Sequence, residues 1–309
     1  MKKRKIQYNE INEENYAPIF WTKSRLIIIG LFILFIGFLA NFSIEDRINK
    51  TLQNILGSNA SCPILFERAE LGYFLPKITV KKPIISGACF GQYNNQLAMK
   101  DLKISFHSPS FYPLGLRLHI EAVSNKTKIS LYPVVSLFSH SIKIENTIID
   151  SQFFAPMTKN NLSPISGNFS VEGFFEFKSG TIVDGEIDIA SKNFSVPSQN
   201  IQGFELTKMN LQEFRISAKF VDSTDINVEK IQIGTRVSPV EMNLKGKIKV
   251  SAGDFLGSKL ILDGKLRLSP VTLTTFAFLK LFLPPDNTSG NYLMKLNGTL
   301  RSPGAPKLL

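Results

Sequence analysis

Apolar and polar residues alternate along much of the chain after residue 64. Successive side chains of a β-strand point to opposite faces of its sheet, so this pattern predicts strands with one apolar and one polar face. Parallel sheets are covered on both faces and read as continuous apolar runs, so alternation favours antiparallel pairing. The clearest alternating segments are 102–106, 114–120, 169–177, 240–250, 260–268 and 294–301. We therefore predict a mainly β chain in which residues 64–309 form an antiparallel β domain.

A glycine recurs within these segments, in the pattern apolar-x-Gly-x-apolar-x-apolar. The copies are 171–177, 183–189, 244–250 and 262–268, with a shortened copy at 296–300. Each glycine falls on the apolar face, and a glycine inside a strand often marks a bulge, a bend or a close approach. The pattern predicts an elongated sheet that curls across its width.

Two short helices are expected on the apolar face of this sheet. Residues 271–283 follow Pro270, end before Pro284 and carry a single charge, Lys280. The length and the flanking prolines favour a helix, and the alternative is a buried strand. A shorter helix is predicted over 133–138.

One long apolar run, 26–42, precedes the β domain. Nineteen residues without a charge separate Arg25 from Glu45. As a helix they extend about 28 Å, which is enough to cross the hydrocarbon core of a membrane. The alternatives are a buried helix of a soluble protein and a cleaved signal peptide, although no A-x-A-like cleavage site follows. We predict a transmembrane helix over 25–44.

Charges on either side of this run predict its orientation. Lysine and arginine are concentrated before it, at positions 2–5, 23 and 25, whereas Arg47 and Lys50 follow it together with two acidic residues. The positive-inside rule then makes 1–24 a cytoplasmic basic tail. Residues 45–63 are predicted to form a short amphipathic helix, ending near Gly57, and a linker. The β domain would lie outside the cytoplasmic membrane.

The formal charge of the whole chain is +11. A basic surface outside the membrane suits anionic lipid headgroups or an acidic partner, and the alternative is that it only maintains solubility. The basic residues are spread along the strands and match no nucleic-acid-binding motif, so we expect no nucleic-acid partner.

Both cysteines of the chain, Cys62 and Cys89, lie on the side of the membrane predicted to face away from the cytoplasm. A pair of cysteines in an oxidising compartment is a candidate disulfide. It would close a loop of about 28 residues and stabilise the fold by about 3 kcal/mol on the loop-entropy model. The alternative is two buried free thiols.

Catalytic and cofactor-binding motifs are absent from the sequence. His107, His119 and His140 have no metal-ligand spacing, and there is no nucleophile elbow, phosphate-binding loop or dinucleotide fingerprint. Carboxylates do cluster between 172 and 188, where they alternate as on a solvated sheet face. A glycosidase pair among them is the alternative. We predict a protein that is not an enzyme and needs no cofactor or metal.

The C-terminal half, 165–309, resembles the type II secretion system protein N (GspN) family. The resemblance rests on the segments 166–173, 185–189, 242–248 and 262–266, the apolar segment that follows, and the ending 292–303. The order of tail, anchor and β domain is also similar, and the resemblance implies the inner membrane of a Gram-negative bacterium, with the β domain in the periplasm. The mid-strand glycines and the Gly-Thr-Leu-x-x-Pro ending occur in AsmA-like proteins as well, which are linked to lipid traffic between membranes.

The resemblance implies two alternative functions. In the first, the chain is a non-enzymatic inner-membrane component of a type II protein secretion system, and its β domain is a scaffold that binds other secretion components through edge strands or its basic face. In the second, the apolar face forms a groove for phospholipid acyl chains. The residues predicted to line that groove, or to form a closed core instead, are Phe169, Phe175, Phe177, Leu244, Ile248, Leu262 and Leu266.

Overall fold

The computed structural model describes most of the chain after residue 22. The described ranges are 23–41, 44–58, 62–72, 76–90, 95–111, 114–136, 139–157, 163–179, 181–201, 204–222, 224–251, 254–275, 290–304 and 307–308. The chain divides into two compact units, Met1–Ile48 and Asn49–Leu309.

Two helices begin the described chain, α1 (Lys23–Asn41) and α2 (Ile44–Gly57). The first is apolar on all sides, and its described apolar side chains are mostly exposed. Within the part of the chain that the structure describes, no helix is long and apolar enough to cross a membrane, so the predicted transmembrane helix is not found there. The second helix is amphipathic and ends at Gly57, as predicted.

The rest of the described chain is mostly strands, three of which form a small separate sheet. This sheet consists of β1 (Ile64–Leu65), β4 (Ile84–Ser86) and β5 (Gln96–Ala98). The structure joins Cys62, just before β1, to Cys89, which lies in a 3-10 turn over Gly87–Phe90 after β4. The disulfide therefore connects the segment that precedes β1 to the segment between β4 and β5.

Fourteen strands form one large sheet. They are β2 (Arg68–Gly72), β3 (Lys77–Lys81), β6 (Asp101–Phe111), β7 (Leu114–Ser124), β8 (Thr127–Ser136), β9 (Ser139–Asp150), β10 (Asn168–Lys178), β11 (Thr181–Val196), β14 (Met209–Phe220), β15 (Asp225–Ile233), β16 (Val240–Lys249), β17 (Lys259–Leu268), β18 (Asn291–Thr299) and β19 (Lys307–Leu308). Between β11 and β14 the chain forms a separate hairpin of β12 (Gln199–Ile201) and β13 (Phe204–Leu206).

The large sheet is a meander in which neighbours along the chain are also neighbours in space. Its order is β19-β18-β17-β16-β15-β14-β11-β10-β9-β8-β7-β6-β3-β2, and every pair is antiparallel. The predicted mainly β, antiparallel architecture is confirmed. The elongation and curl of the domain, and its boundaries at 24, 44 and 63, stay predictions.

The register of the strands keeps apolar residues opposite one another. One row of residues without a polar side chain crosses every strand from β2 to β18. Its members are Leu71, Ile78, Ile104, Ile120, Leu131, Ile144, Gly173, Ile187, Ala218, Val228, Gly246, Leu262 and Leu296. Because each strand alternates about this row, one face of the whole sheet is apolar and the other is polar.

The helices predicted on the apolar face are only partly found. Helix α3 covers Pro270–Thr275, and the remainder of the segment predicted to be helical, 276–283, lies outside the described residues. The helix predicted over 133–138 is wrong, because Pro133–Ser136 belong to β8 and 137–138 are not described. The alternation of Ile129, Leu131 and Pro133 continues to the β-branched Val135, and such residues fit a pleated sheet better than a helix.

Glycines of the recurring pattern lie where strands approach closely, which is one of the three features that a glycine inside a strand often marks. Gly246 in β16 has a φ of +153°, and a Cβ built on it would lie 2.2 Å from the carbonyl oxygen of Ile261 in β17. That oxygen belongs to the backbone of β17, which pairs with a strand on both sides, and it cannot move without disturbing the hydrogen bonds between these strands. Only glycine is accommodated at this position.

We predict that Gly246→Ala lowers the free energy of unfolding by about 1–3 kcal/mol, since the methyl group must displace the β17 backbone. The measurement is denaturant unfolding of the full chain. Gly57→Ala is the control, because a Cβ there meets only a side-chain carbon at 3.9 Å. Equal stability of the Gly246 variant and the natural chain would show that the two strands are not so closely packed.

Candidate functional site: the apolar face of the large sheet

All seven residues predicted to line a groove or core lie on the apolar face. Three of them are in β10, two in β16 and two in β17. The strands β11, β14 and β15 separate β10 from β16, so four inter-strand steps of about 4.8 Å place the two groups roughly 19 Å apart along the sheet. The predicted set is therefore divided between two parts of one face, with different burial.

The C-terminal part of the face is a closed core. Leu244 and Leu262 are 4% and 2% exposed, and they form a buried cluster with Val228, Leu260 and Met294. Ile248 and Leu266 pack against this cluster and are half-buried. For these four of the predicted residues, the structure favours the closed-core alternative over a groove.

A second cluster closes one end of the face. Phe169 near the start of β10 contacts the rings of Phe194 and Phe214, with centroid distances of 6.1 and 5.5 Å, and Phe194 and Phe214 are 5.0 Å apart. Leu211 completes the cluster, and Phe169, Phe194 and Leu211 are each 4% exposed. We refer to the end of the sheet that contains this cluster as the closed end.

Phe194 and Leu211 could not be assigned to this cluster from sequence alternation. Phe194 lies five residues after Ile189, so regular alternation would place it on the polar face. Irregularities in the pairing of β11 with β14, between Ser191 and Ser195, change this register. Gln212 at the same place has a φ of +67°. Bulges redirect side chains in this way, and the available signal is the isolated bulky Phe194 within a polar stretch.

Between the closed end and the opposite end, the apolar face of β6–β10 is half-buried. We call these residues the open stretch. They are Leu102, Ile104, Phe106, Leu118, Ile120, Leu131, Ile142, Ile144, Phe175 and Phe177. The predicted groove residues Phe175 and Phe177 belong to it, and the ring of Phe175 contacts Phe220 at 5.4 Å. A one-layer sheet with half-buried apolar side chains offers a surface on which an apolar partner gains by binding.

At the end opposite the closed end, the apolar face is exposed to solvent. Phe111 and Leu114, which pair at the β6–β7 hairpin, are 85% and 78% exposed. Leu116 and Val135, their neighbours in β7 and β8, are 54% and 51% exposed. The apolar face thus passes from buried at the closed end, through the open stretch, to exposed at this open end.

Polar groups on this face are satisfied by the sheet itself. The Thr147 hydroxyl accepts a hydrogen bond from the Ser130 N–H (2.9 Å) and donates one to the Ser130 carbonyl oxygen (3.2 Å). The Thr127 hydroxyl accepts from the Asp150 N–H at 3.0 Å. Among the described residues no buried side-chain polar atom lacks a partner. Any ligand on the open stretch would be selected by its apolar character rather than by hydrogen bonds.

The carboxylates that clustered in the sequence lie on the opposite, polar face. Glu172, Glu176, Glu186 and Asp188 alternate with the apolar residues of β10 and β11 and are not on the apolar side. Within the described ranges, no group of three or more histidine, cysteine or acidic residues could hold a metal ion.

Among the described residues, two carboxyl groups have shifted pKa values, and neither is on the apolar face. The Lys82 ammonium, 2.9 Å from the Glu67 carboxylate, lowers the pKa of Glu67 by hydrogen bonding and charge, and Arg68 adds to the effect. The Thr224 hydroxyl, followed by the N–H groups of Thr224 and Asp225, lowers the pKa of Asp222 in the β14–β15 turn. These are exposed turn and edge interactions, which organise the chain locally.

Comparison with known proteins gives no further identification: no family model, no curated protein and no solved structure matches this chain. The resemblance to the GspN and AsmA-like families stays a prediction.

We predict that Phe194→Ala destabilises the chain by about 3–5 kcal/mol, because it removes a ring from the centre of the closed end. Denaturant unfolding of the full chain measures the loss. The control is Phe111→Ala, which truncates the same residue type at the exposed end and should change stability little. Similar losses in both variants would contradict the assignment of closed and open ends.

Proposed function

We propose that this chain is a non-enzymatic inner-membrane component of a type II protein secretion system, and that its β domain is a periplasmic scaffold for other secretion components. The observation that carries the proposal is the open stretch. A row of half-buried leucine, isoleucine and phenylalanine side chains over five neighbouring strands supports a role in binding rather than in catalysis. The resemblance of 165–309 to the GspN family supports the choice of partner.

The inner-membrane location in this proposal rests on the apolar run 26–42 of the sequence and on the exposed apolar side chains of α1, not on a described helix that could span a membrane. The described side chains of the helix include Ile27, Phe32 and Leu34, which are 62–70% exposed, and such a surface is stable in lipid rather than in water. The basic residues that precede the helix support a cytoplasmic N-terminus.

Partner binding is better supported on the apolar face than on the sheet edges. At the β2 edge, the Asn49 side chain of α2 donates a hydrogen bond to the Ala69 carbonyl oxygen at 3.1 Å and accepts one from the Ala69 N–H. This amide imitates a neighbouring strand and occupies the edge at its centre. At the other end of the sheet, β19 pairs with Met294 and Lys295 of β18. Both edges are thus partly blocked against strand addition.

A photocrosslinking experiment in cells tests the proposal. Phe106 in the open stretch is replaced by p-benzoylphenylalanine, and Ser105, its neighbour on the polar face, is replaced in the control. We expect Phe106 to capture secretin or inner-membrane secretion components, and Ser105 to capture far less of them. Normal export of type II substrates in a deletion strain, together with no such crosslink, would overturn the proposal.

Lipid handling of the AsmA-like kind is the second candidate function. The observation that favours it is the hydrogen-bond satisfaction of the apolar face, which suits acyl chains as well as apolar protein segments. The open end would admit chains and the closed end would limit their depth. In the same experiment, phospholipid adducts at Phe106 without secretion components would favour this function over the first.

A further inference from the structure

On the polar face, two of the three histidines of the chain meet on one tyrosine. The ring of His119 in β7 stacks on Tyr132 in β8, with centroids 4.6 Å apart and planes 10° from parallel. His107 in β6 meets the same ring edge-on at 5.4 Å. The Ser130 hydroxyl is hydrogen-bonded to Nε2 of His119 at 2.9 Å. These histidines are therefore parts of an aromatic cluster rather than isolated surface residues.

A bulge brings His107 to this cluster. The pairing of β6 with β7 passes from Phe106 to Ser108 and leaves His107 without a partner residue. The ring of this extra residue reaches across β7 to Tyr132. Bulges that redirect a side chain are frequent next to functional sites. The surroundings of this aromatic cluster are therefore a candidate binding site.

Next to the cluster the polar face contains a hollow of about 340 Å³. Its floor is made by small side chains, because Val134 and Ser141 oppose each other in β8 and β9 and are 5% and 8% exposed. Larger residues on neighbouring strands form its walls. They are His107, Arg117, Tyr132, Lys143, Glu145 and Phe174. A volume of this size is at the lower end of the range for small-molecule sites.

The charged groups of the hollow favour an anion. Lys143 is paired with Glu145, so these two largely neutralise each other. Arg117 lines the hollow and makes no ion pair or side-chain hydrogen bond within the described part of the chain. A guanidinium group presents several donors in a fork that matches the oxygens of a phosphate. The Ser141 hydroxyl on the floor adds a further donor.

The aromatic walls favour a ring beside that anion. Tyr132 and Phe174 stand on either side of Lys143 in one cross-strand row, two inter-strand steps or about 10 Å apart. Sugar and other small rings bind well against aromatic faces, which contribute apolar area at little cost in side-chain entropy. The hollow therefore combines a phosphate-binding cation with an apolar wall for a ring.

We propose that this hollow binds a phosphorylated sugar, with Arg117 on the phosphate and the ring against Tyr132 and Phe174. The site is on the face opposite the open stretch, so the proposal does not depend on the function proposed above. A phosphorylated sugar has two sources, a soluble sugar phosphate or the headgroup of a glycolipid, and the experiment distinguishes them.

The test uses the full chain in detergent micelles. Isothermal titration calorimetry measures binding of glucose 1-phosphate, with glucose as the uncharged comparison, and flotation measures binding to phosphatidylcholine vesicles that contain lipid A. We expect Arg117→Gln to weaken binding at least roughly tenfold, as loss of a charge-assisted contact does. The matched control is Arg215→Gln, since Arg215 is on the same face but close to Asp188 at 3.7 Å.

Binding of glucose 1-phosphate that is lost in Arg117→Gln assigns a soluble ligand, whereas binding to lipid A vesicles alone, with the same loss, assigns a headgroup. No binding of either probe, or equal binding by the Arg117 and Arg215 variants, overturns the proposal. Should Arg117→Gln fail to fold, Arg117→Lys keeps the charge without the fork and is expected to bind more weakly than the natural chain.

Discussion

The register of the large sheet is the constraint on which the rest of the molecule depends. A shift of one residue in any strand would move its apolar side chains to the polar face. The row from Leu71 to Leu296 shows that this does not happen across β2–β18. Bulges appear in several pairings, and the apolar row continues on both sides of them. Burial of apolar side chains in each strand thus keeps the strands of this one-layer sheet in register.

A single layer with one apolar face requires cover for that face, and the cover is uneven here. Around Leu262, and at the closed end around Phe194, side chains of the sheet itself exclude water. Along the open stretch they do so only in part, and at the β6–β7 hairpin they are exposed. This difference in burial, rather than any one residue, distinguishes the open stretch, as a binding surface, from the closed core. Both proposed functions rest on it.

Sequence patterns predicted most of this architecture and little of its detail. Alternation was sufficient to predict the antiparallel sheet and the face on which each groove residue lies. In a strand, successive side chains point to one of only two faces, so the position of one residue fixes the faces of its neighbours. Alternation did not place Phe194 and His107 correctly, because bulges shift the register and alternation alone does not reveal a bulge. The degree of burial also could not be predicted from alternation. Leu262 and Phe177 both lie at apolar positions of alternating strands, but only Leu262 is in a closed core. The Asn49 contact with β2 joins residues 20 apart and has no sequence signature.

Measuring solvent access to the two parts of the apolar face tests their unequal burial directly. Single cysteines are introduced by Phe106→Cys in the open stretch and Leu262→Cys in the closed core, and maleimide labelling of the folded chain is followed over time. The natural cysteines are joined to each other and should not react. We expect rapid labelling at position 106 and strong protection at position 262. Equal labelling rates at the two positions would show that the apolar face is not divided into an open stretch and a closed core.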